Sequence, residues 1–373
     1  MPRAERADRA ERTERAESAG PPQRLPISPP LLGWLRAHQS WQQVPLARRA
    51  ALHWASIWGG INLRLSEARQ RQQPAPPVPA PLFVLGAWRS GTTVLHELIV
   101  AASGRAAPRT WQCMDPTAFR LHAAPPDTRI SIARPMDGLQ VVSGSPQEDE
   151  FALLGLGVAS AYRAFLMPQR IDELHGTLDA QAWCDDGAWL PAWERFLQAV
   201  VGSSARGPVL KSPNHSWRMR ALRRRWPQAQ AVWIVRDPAQ VLASNRKMWR
   251  AMFSAYALVA ADDSAFAALD RFLLHALDRA AAALSECAAT MPREQFVVVT
   301  HEALLAEPEA TVRALLQRLD AQAAVDAVAL ASAMRLSASG RVERYTVSAA
   351  DAAEPALQAL AAAQTTAVAS HGL

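Results

Sequence analysis

Leu82-Phe-Val-Leu85-Gly86-Ala-Trp-Arg89-Ser90-Gly91-Thr92-Thr93 is the stretch of this 373-residue chain that decides its fold. Four consecutive apolar residues have the length of a short strand buried on both faces. A turn bounded by Gly86 and Gly91 follows, and Thr92-Thr93 open an apolar run to Val100 that predicts a helix. A strand–glycine turn–helix unit presents successive backbone N–H groups and a positive helix end to an anion such as a phosphate. A glycine turn that merely starts a helix is the plainer alternative. The Arg-Ser-Gly-Thr-Thr run between strand and helix argues against it.

The spacing G-x4-G is that of a P-loop, but a nucleoside-triphosphate enzyme needs lysine at position 92 to reach the β and γ phosphates, and Thr92 stands there. The cation is Arg89, inside the loop. Hydroxyls and one arginine suit a smaller anionic group without a magnesium-bound triphosphate. A second motif runs from Val232-Trp-Ile-Val235 through Arg236-Asp237-Pro238 to Ser244. Arg236 ends a buried strand, Pro238 is suited to the first position of a helix, and Ser244 falls about two turns in. A cation and a hydroxyl so placed can grip one phosphate from two sides. Arg236 could instead simply pair with Asp237, or Asp237 could be a magnesium-binding acid at a strand end.

Outward from these motifs, Val209–Lys211, Gln230–Val235 and Gln295–Thr300 read as further short strands, each leading into a helix. The pattern predicts an α/β chain with a P-loop-like parallel sheet flanked by helices on both faces. Residues 82–345 are expected to form that domain. Upstream, 74–81 is a proline-rich linker, and 31–73 reads as a helical cover on the core, with Leu46, Leu52, Trp54, Ile57, Trp58 and Ile61 roughly at helical spacing. So many tryptophans could alternatively line a lipid or substrate surface. Residues 1–30 read as a solvated tail in which Arg3, Arg6, Arg9, Arg12 and Arg15 alternate with Glu5, Asp8, Glu11, Glu14 and Glu17. The alanine-rich segment 346–373 reads as a helical tail.

Composition sets the outer limits. Half the chain is hydrophobic and a fifth charged, which excludes a disordered or fibrous chain. A net charge of +6 favours an anionic partner without arguing for nucleic acid. The arginines of 218–225 lack interleaved stacking aromatics beyond Trp217 and Trp226, and read as a solvated face. No apolar run reaches the ~18 residues of a spanning helix. Cys113, Cys184 and Cys287 are scattered and odd in number, so a reducing, cytoplasmic setting is expected and no disulfide or metal framework is visible. The histidines likewise show no metal spacing.

Arg89-Ser-Gly-Thr-Thr93 after a strand, with Arg236-Asp-Pro and Ser244 downstream, resembles the PAPS-dependent sulfotransferase family, in particular its bacterial members and the tyrosylprotein sulfotransferases. The resemblance covers roughly residues 80–320. It implies that Arg89, Ser90, Gly91, Thr92 and Thr93 bind the 5′-phosphosulfate of 3′-phosphoadenylyl sulfate (PAPS), and that Arg236 and Ser244 bind the 3′-phosphate that distinguishes this donor from ATP. It further implies that Lys211, in Val209-Leu-Lys211-Ser-Pro213, is the catalytic lysine. Val299–Pro308 resembles the segment that follows the binding motifs. No metal is implied. The expected reaction is transfer of a sulfuryl group to a hydroxyl of a small-molecule, lipid or carbohydrate acceptor.

Such a displacement at sulfur needs a base for the acceptor's proton and cations for the charge that builds on the transferring group and leaving phosphate. Lys211 and Arg89 are the candidate cations. Relatives often carry a glutamate base soon after the loop helix, and bacterial ones directly after Thr-Trp. Here Thr110-Trp111 is followed by Gln112, which cannot take a proton. Two replacements are available: Glu148, in the cluster Glu148-Asp149-Glu150 ahead of a hydrophobic helix, and His215, four residues beyond Lys211. Glu148 is ranked first. The acids could instead only complement a helix dipole, and His215 only start a helix. Two other functions stay open: a P-loop kinase or NTPase, and a donor-binding protein of the same fold with weak or no transfer activity.

Overall fold

The computed structural model describes residues 27–72, 76–125, 131–137, 140–320, 324–337 and 345–373. Its centre is a four-stranded, wholly parallel sheet of β1 (Leu82–Leu85), β2 (Val209–Lys211), β3 (Gln230–Val235) and β4 (Phe296–Thr300), in the order β2-β1-β3-β4. Alternate strand residues face opposite ways, and both faces are buried. Phe83, Leu85, Leu210, Trp233 and Val298 belong to one apolar cluster, and Leu82, Val84, Val209, Val232, Ile234 and Val299 to a second on the other face. That double burial is why these strands read as unbroken apolar runs.

The second cluster is closed by α3 (Thr92–Ser103) and the helix Pro308–Leu319. The first is covered by α4 (His215–Arg225), α5 (Pro238–Tyr256), α6 (Asp263–Thr290) and α7 (Pro355–His371). α7 lies along α6, and Gly372 just beyond it forms a parallel bridge to Val298 of β4. β1 pairs with β2 on one side and with β3 on the other. The chain therefore reverses its direction of travel across the sheet at β1. The carboxyl end of such a strand opens a crevice where ligands of α/β folds bind. The register Val84↔Lys211 and Leu85↔Trp233 brings the end of β2 beside the Gly86 turn.

Two expectations are corrected. α1 (Pro29–Arg36) and α2 (Leu46–Gln72) do form, but α2 does not cover the core with its apolar side. Trp54, Ile57, Trp58 and Ile61 face outward, while Ser56 and Ser66 are buried. Nor is the arginine run of α4 wholly solvated. Arg218 is fully buried against Glu150, whereas Arg220 and Arg225 pair with Glu286 and Glu194 at the surface. The charged tail expected over 1–30 lies almost entirely outside the described residues. Among the described residues no helix is long and apolar enough to cross a membrane.

Candidate active site

The glycine turn is built as tightly as its sequence suggests. Gly86 sits at φ 145°, and a Cβ there would stand 2.7 Å from Ser90 Oγ and 2.8 Å from the Ile234 carbonyl oxygen. Gly91, at φ 105°, would drive a Cβ to 2.8 Å from the His301 ring. Arg89, between them, holds φ 68°, a left-handed conformation that costs a non-glycine residue about 1 kcal/mol or more. Three clamps hold the loop in this shape. Ser216 Oγ accepts from Gly86 N (3.2 Å), Asn245 Nδ2 donates to the Trp88 carbonyl (2.8 Å), and an Arg236 guanidinium nitrogen donates to the Arg89 carbonyl (3.0 Å). α3 starts at Thr92 with no side-chain cap at Gly91, so its first N–H groups are left facing the crevice. Ser90 closes the turn, its hydroxyl and N–H both donating to the Ala87 carbonyl. Thr93 presents its hydroxyl to Lys211 (Nζ–Oγ1 3.3 Å).

The second motif meets the loop directly. Asp237 caps α5, accepting from Gln240 N (2.8 Å), and Pro238 occupies the first turn. That cap gives the Asp237 carboxylate a structural role. Ser244 is buried two turns in and accepts from Arg89 Nε at 3.1 Å. Its hydroxyl donates to Tyr345 (3.4 Å), and Arg89 also reaches Asp137 (3.3 Å). Burial first, and the neighbouring Arg89 charge second, hold the Arg236 pKa below its usual range. Burial and Arg236 do the same to His301. The repulsion between the Arg89 and Arg236 charges is what a bound anion would relieve. Tyr345 and Asp137 lie outside both motifs, and nothing local in the sequence marks them.

The three acids resolve into three separate pairings with the last residue of β2 and the segment that follows it. Glu148 meets Lys211 at 2.6 Å, Asp149 meets His215 at 2.9 Å, and Glu150 meets Arg218 through two bonds at 2.5 and 2.9 Å. Accessibility falls along the row. The Glu148 side chain is 15% exposed, while Asp149 and Glu150 are wholly enclosed. Asp149 also accepts from Trp193 Nε1, and Glu150 from Ser160 and Ser212. His215 is therefore a buried partner of Asp149, and the site does not bring it to a substrate. Burial and the Asp149 pairing favour Glu148 over His215 as the base.

Glu148 Oε2 accepts from Tyr162 OH at 2.5 Å, and that hydroxyl accepts from Trp88 Nε1 at 3.1 Å. Burial, then the Glu148 charge, raises the Tyr162 pKa well above its usual value, so it stays a donor. A residue of the glycine turn thus reaches Glu148 through one tyrosine. Beneath Lys211, the fully buried His96 is pulled down to about 3 by burial first and the Lys211 charge second, and is neutral. Gln112 points elsewhere, accepting from Arg109 N (2.9 Å) as part of a capping box. Its segment is stitched to the strand of chain before Glu148, with Thr110 N donating to the Ser145 carbonyl and Gln147 N to that of Pro108. Glu148 therefore directly follows the segment that pairs with the one carrying Gln112. Among the described residues no group of His, Cys, Asp and Glu side chains could hold a metal ion.

Residues 81–324 match the profile of the sulfotransferase family. The omega-hydroxy-beta-dihydromenaquinone-9 sulfotransferases Stf3 of Mycobacterium bovis and Mycobacterium tuberculosis are each 31% identical over 244 residues, 64% of this chain and 62% of theirs. The chain thus spans less than two thirds of the length of these relatives. Among solved structures, sulfotransferase STF1 of Mycobacterium tuberculosis shares the fold at a TM-score of 0.57 and 20% identity over 83% of both chains. STF9 of Mycobacterium avium does so at 0.58 and 21%, over 87% of this chain and 86% of its own.

Proposed function

The chain belongs to the sulfotransferase family, and from that premise we propose that it transfers a sulfuryl group from PAPS to a hydroxyl of a lipid-like acceptor. The observation that carries this reading is Glu148 held between Lys211 and Tyr162, beside Thr93 of the phosphate loop. The loop amides, Arg89, Thr92 and Thr93 would hold the 5′-phosphosulfate, and Arg236 with Ser244 the 3′-phosphate. The acceptor oxygen attacks sulfur in line, its proton passes to Glu148, and the electron pair of the breaking S–O bond goes to the leaving phosphate. Lys211, adjacent to both carboxylate and loop, offers its remaining donors to that oxygen. Losing one such contact typically costs ~3 kcal/mol of transition-state stabilisation. The name of the mycobacterial relatives favours a lipid over a carbohydrate acceptor. The three free cysteines suit a reducing, cytoplasmic setting.

Calorimetric binding of adenosine 3′,5′-bisphosphate against ADP and ATP, with and without magnesium at fixed salt, tests the donor site. The expected result is a metal-independent preference for the bisphosphate that Arg236→Ala abolishes. A preference for magnesium-ATP would overturn the assignment of Arg236 and Ser244 and favour a kinase. Tight bisphosphate binding with no transfer to any hydroxyl acceptor would reduce the chain to a donor-binding protein.

A further inference from the structure

α2 is built inside out. Trp54 (62% exposed), Ile57, Trp58, Ile61 and Leu65 follow the i, i+3, i+4, i+7, i+11 spacing of one helical face, and that face is turned to solvent. The opposite side carries half-buried Leu52 and Leu63 among small and polar residues. Ser66 Oγ donates to the Thr117 carbonyl at 2.6 Å, and Gly59 lets the chain pass so closely that a Cβ would lie 3.0 Å from the Ile27 carbonyl oxygen. An ordinary cover helix buries its tryptophans and exposes its serines. This one spends a tryptophan pair in edge contact (Trp54–Trp58, 6.1 Å) on the outside.

Charge identifies the occupant. Within Leu46–Gln72 the chain carries Arg48, Arg49, Arg64, Arg69 and Arg71 against Glu67 alone, and Glu67 is engaged by Arg195. At the N-terminal end of the stripe, Arg36, Trp41, Gln42, Leu46, Arg49 and His53 line an open groove of about 530 Å³. There Arg49 spends a terminal nitrogen on Gln42 while its Nε has no partner. An apolar stripe with tryptophans, bordered by arginines and nearly free of acids, matches an anionic lipid surface: acyl chains against the stripe, headgroup phosphates against the arginines. A second copy fits less well, because pairing two such faces would bring arginine borders together with no carboxylates to answer them. Residues 1–26 supply only Met1 and Leu25 as large apolar side chains, too few to cover the stripe.

We propose that α2 is an interfacial membrane-docking helix that seats the protein on anionic bilayers. It rests on the sulfuryl-transfer reading only for its purpose, which is to bring the crevice to an acceptor held in the bilayer. The full chain, without donor or acceptor, is tested by co-sedimentation with vesicles of phosphatidylcholine containing about one third phosphatidylglycerol and with pure phosphatidylcholine vesicles. Binding to the anionic vesicles at least ~10-fold tighter than to the neutral ones, weakening as salt rises, is expected. Trp58→Glu should lower it by at least ~10-fold with an unchanged melting temperature, because the side chain is solvent-facing. Lack of binding, or equal binding to both vesicle types, would overturn the proposal. So would a concentration-dependent dimer in sedimentation velocity that Trp58→Glu dissolves, which would assign the stripe to a second copy. Bisphosphate binding is read separately, so either result can fail without the other.

Discussion

Replacing Arg218 by methionine should damage the fold more than the same replacement of any other arginine in this helix. The guanidinium is fully enclosed, doubly bonded to Glu150, and stacked 4.2 Å over the Trp183 ring. Methionine fills most of the volume but strands the Glu150 carboxylate, leaving it only the hydroxyls of Ser160 and Ser212. Breaking one side of a buried pair costs about 3–5 kcal/mol, most of it from the charge left behind. With an unfolding entropy of roughly 2 cal/mol/K per residue, a chain of this size should melt about 4–7 °C lower. Calorimetric melting of the wild type, Arg218→Met, Glu150→Gln and the double variant separates lost packing from stranded charge. The double variant should recover much of the loss, with a coupling of about 2 kcal/mol or more. A single variant melting within about 1 °C of wild type, or a double variant that loses the sum of both, would refute the reasoning.

Glu148→Gln should lower kcat by about 10²–10⁴-fold, with bisphosphate binding retained. Tyr162→Phe deletes a bond to a charged group, about 1.5–3 kcal/mol, and should lower kcat by roughly 10–100-fold without changing donor affinity. The double variant should be no slower than Glu148→Gln, since Tyr162 acts through that carboxylate; additive losses in kcat would contradict this. His96 takes up a proton near its ordinary 6.5 when unfolded but only near 3 when folded. The folded state binds fewer protons across that window, so the stability this neutral ring contributes above pH 6.5 drains away as pH falls toward 3. His96→Met should flatten the acid side of the stability profile, and an unchanged slope would show that His96 does not set it.

Much of the fold was legible because its strands are short, doubly buried and each followed by a helix, so composition and order agree at every step. The glycine turn was legible because Gly86 and Gly91 occupy conformations that few other residues can. What remained hidden depends on contacts between distant segments. Tyr162 lies fourteen residues from Glu148 and is joined to the loop only through Trp88, and no local spacing records that. Arg218 resembles its charged neighbours as text and differs only in facing Glu150. The sequence of α2 shows a helical period but not its sense, because apolar spacing names a face without saying which way it points. Its serines and glycines on the opposite side were the readable clue. At Gln112, absence of a carboxylate was legible, but the substitution's meaning waited on the pairing of 108–112 with 143–147.

The row Glu148-Asp149-Glu150 places very different liabilities on three neighbouring codons. The first acid faces the crevice, and its replacement would tax turnover and leave the buried Lys211 ammonium without its carboxylate. The next two are foundations, fully enclosed and locked to a histidine and an arginine. Drift in reaction chemistry can begin at one position, whereas its neighbours can change only together with their buried partners. A lineage could silence or retune this site in a single step, yet would need paired substitutions to remodel the ground just beneath it.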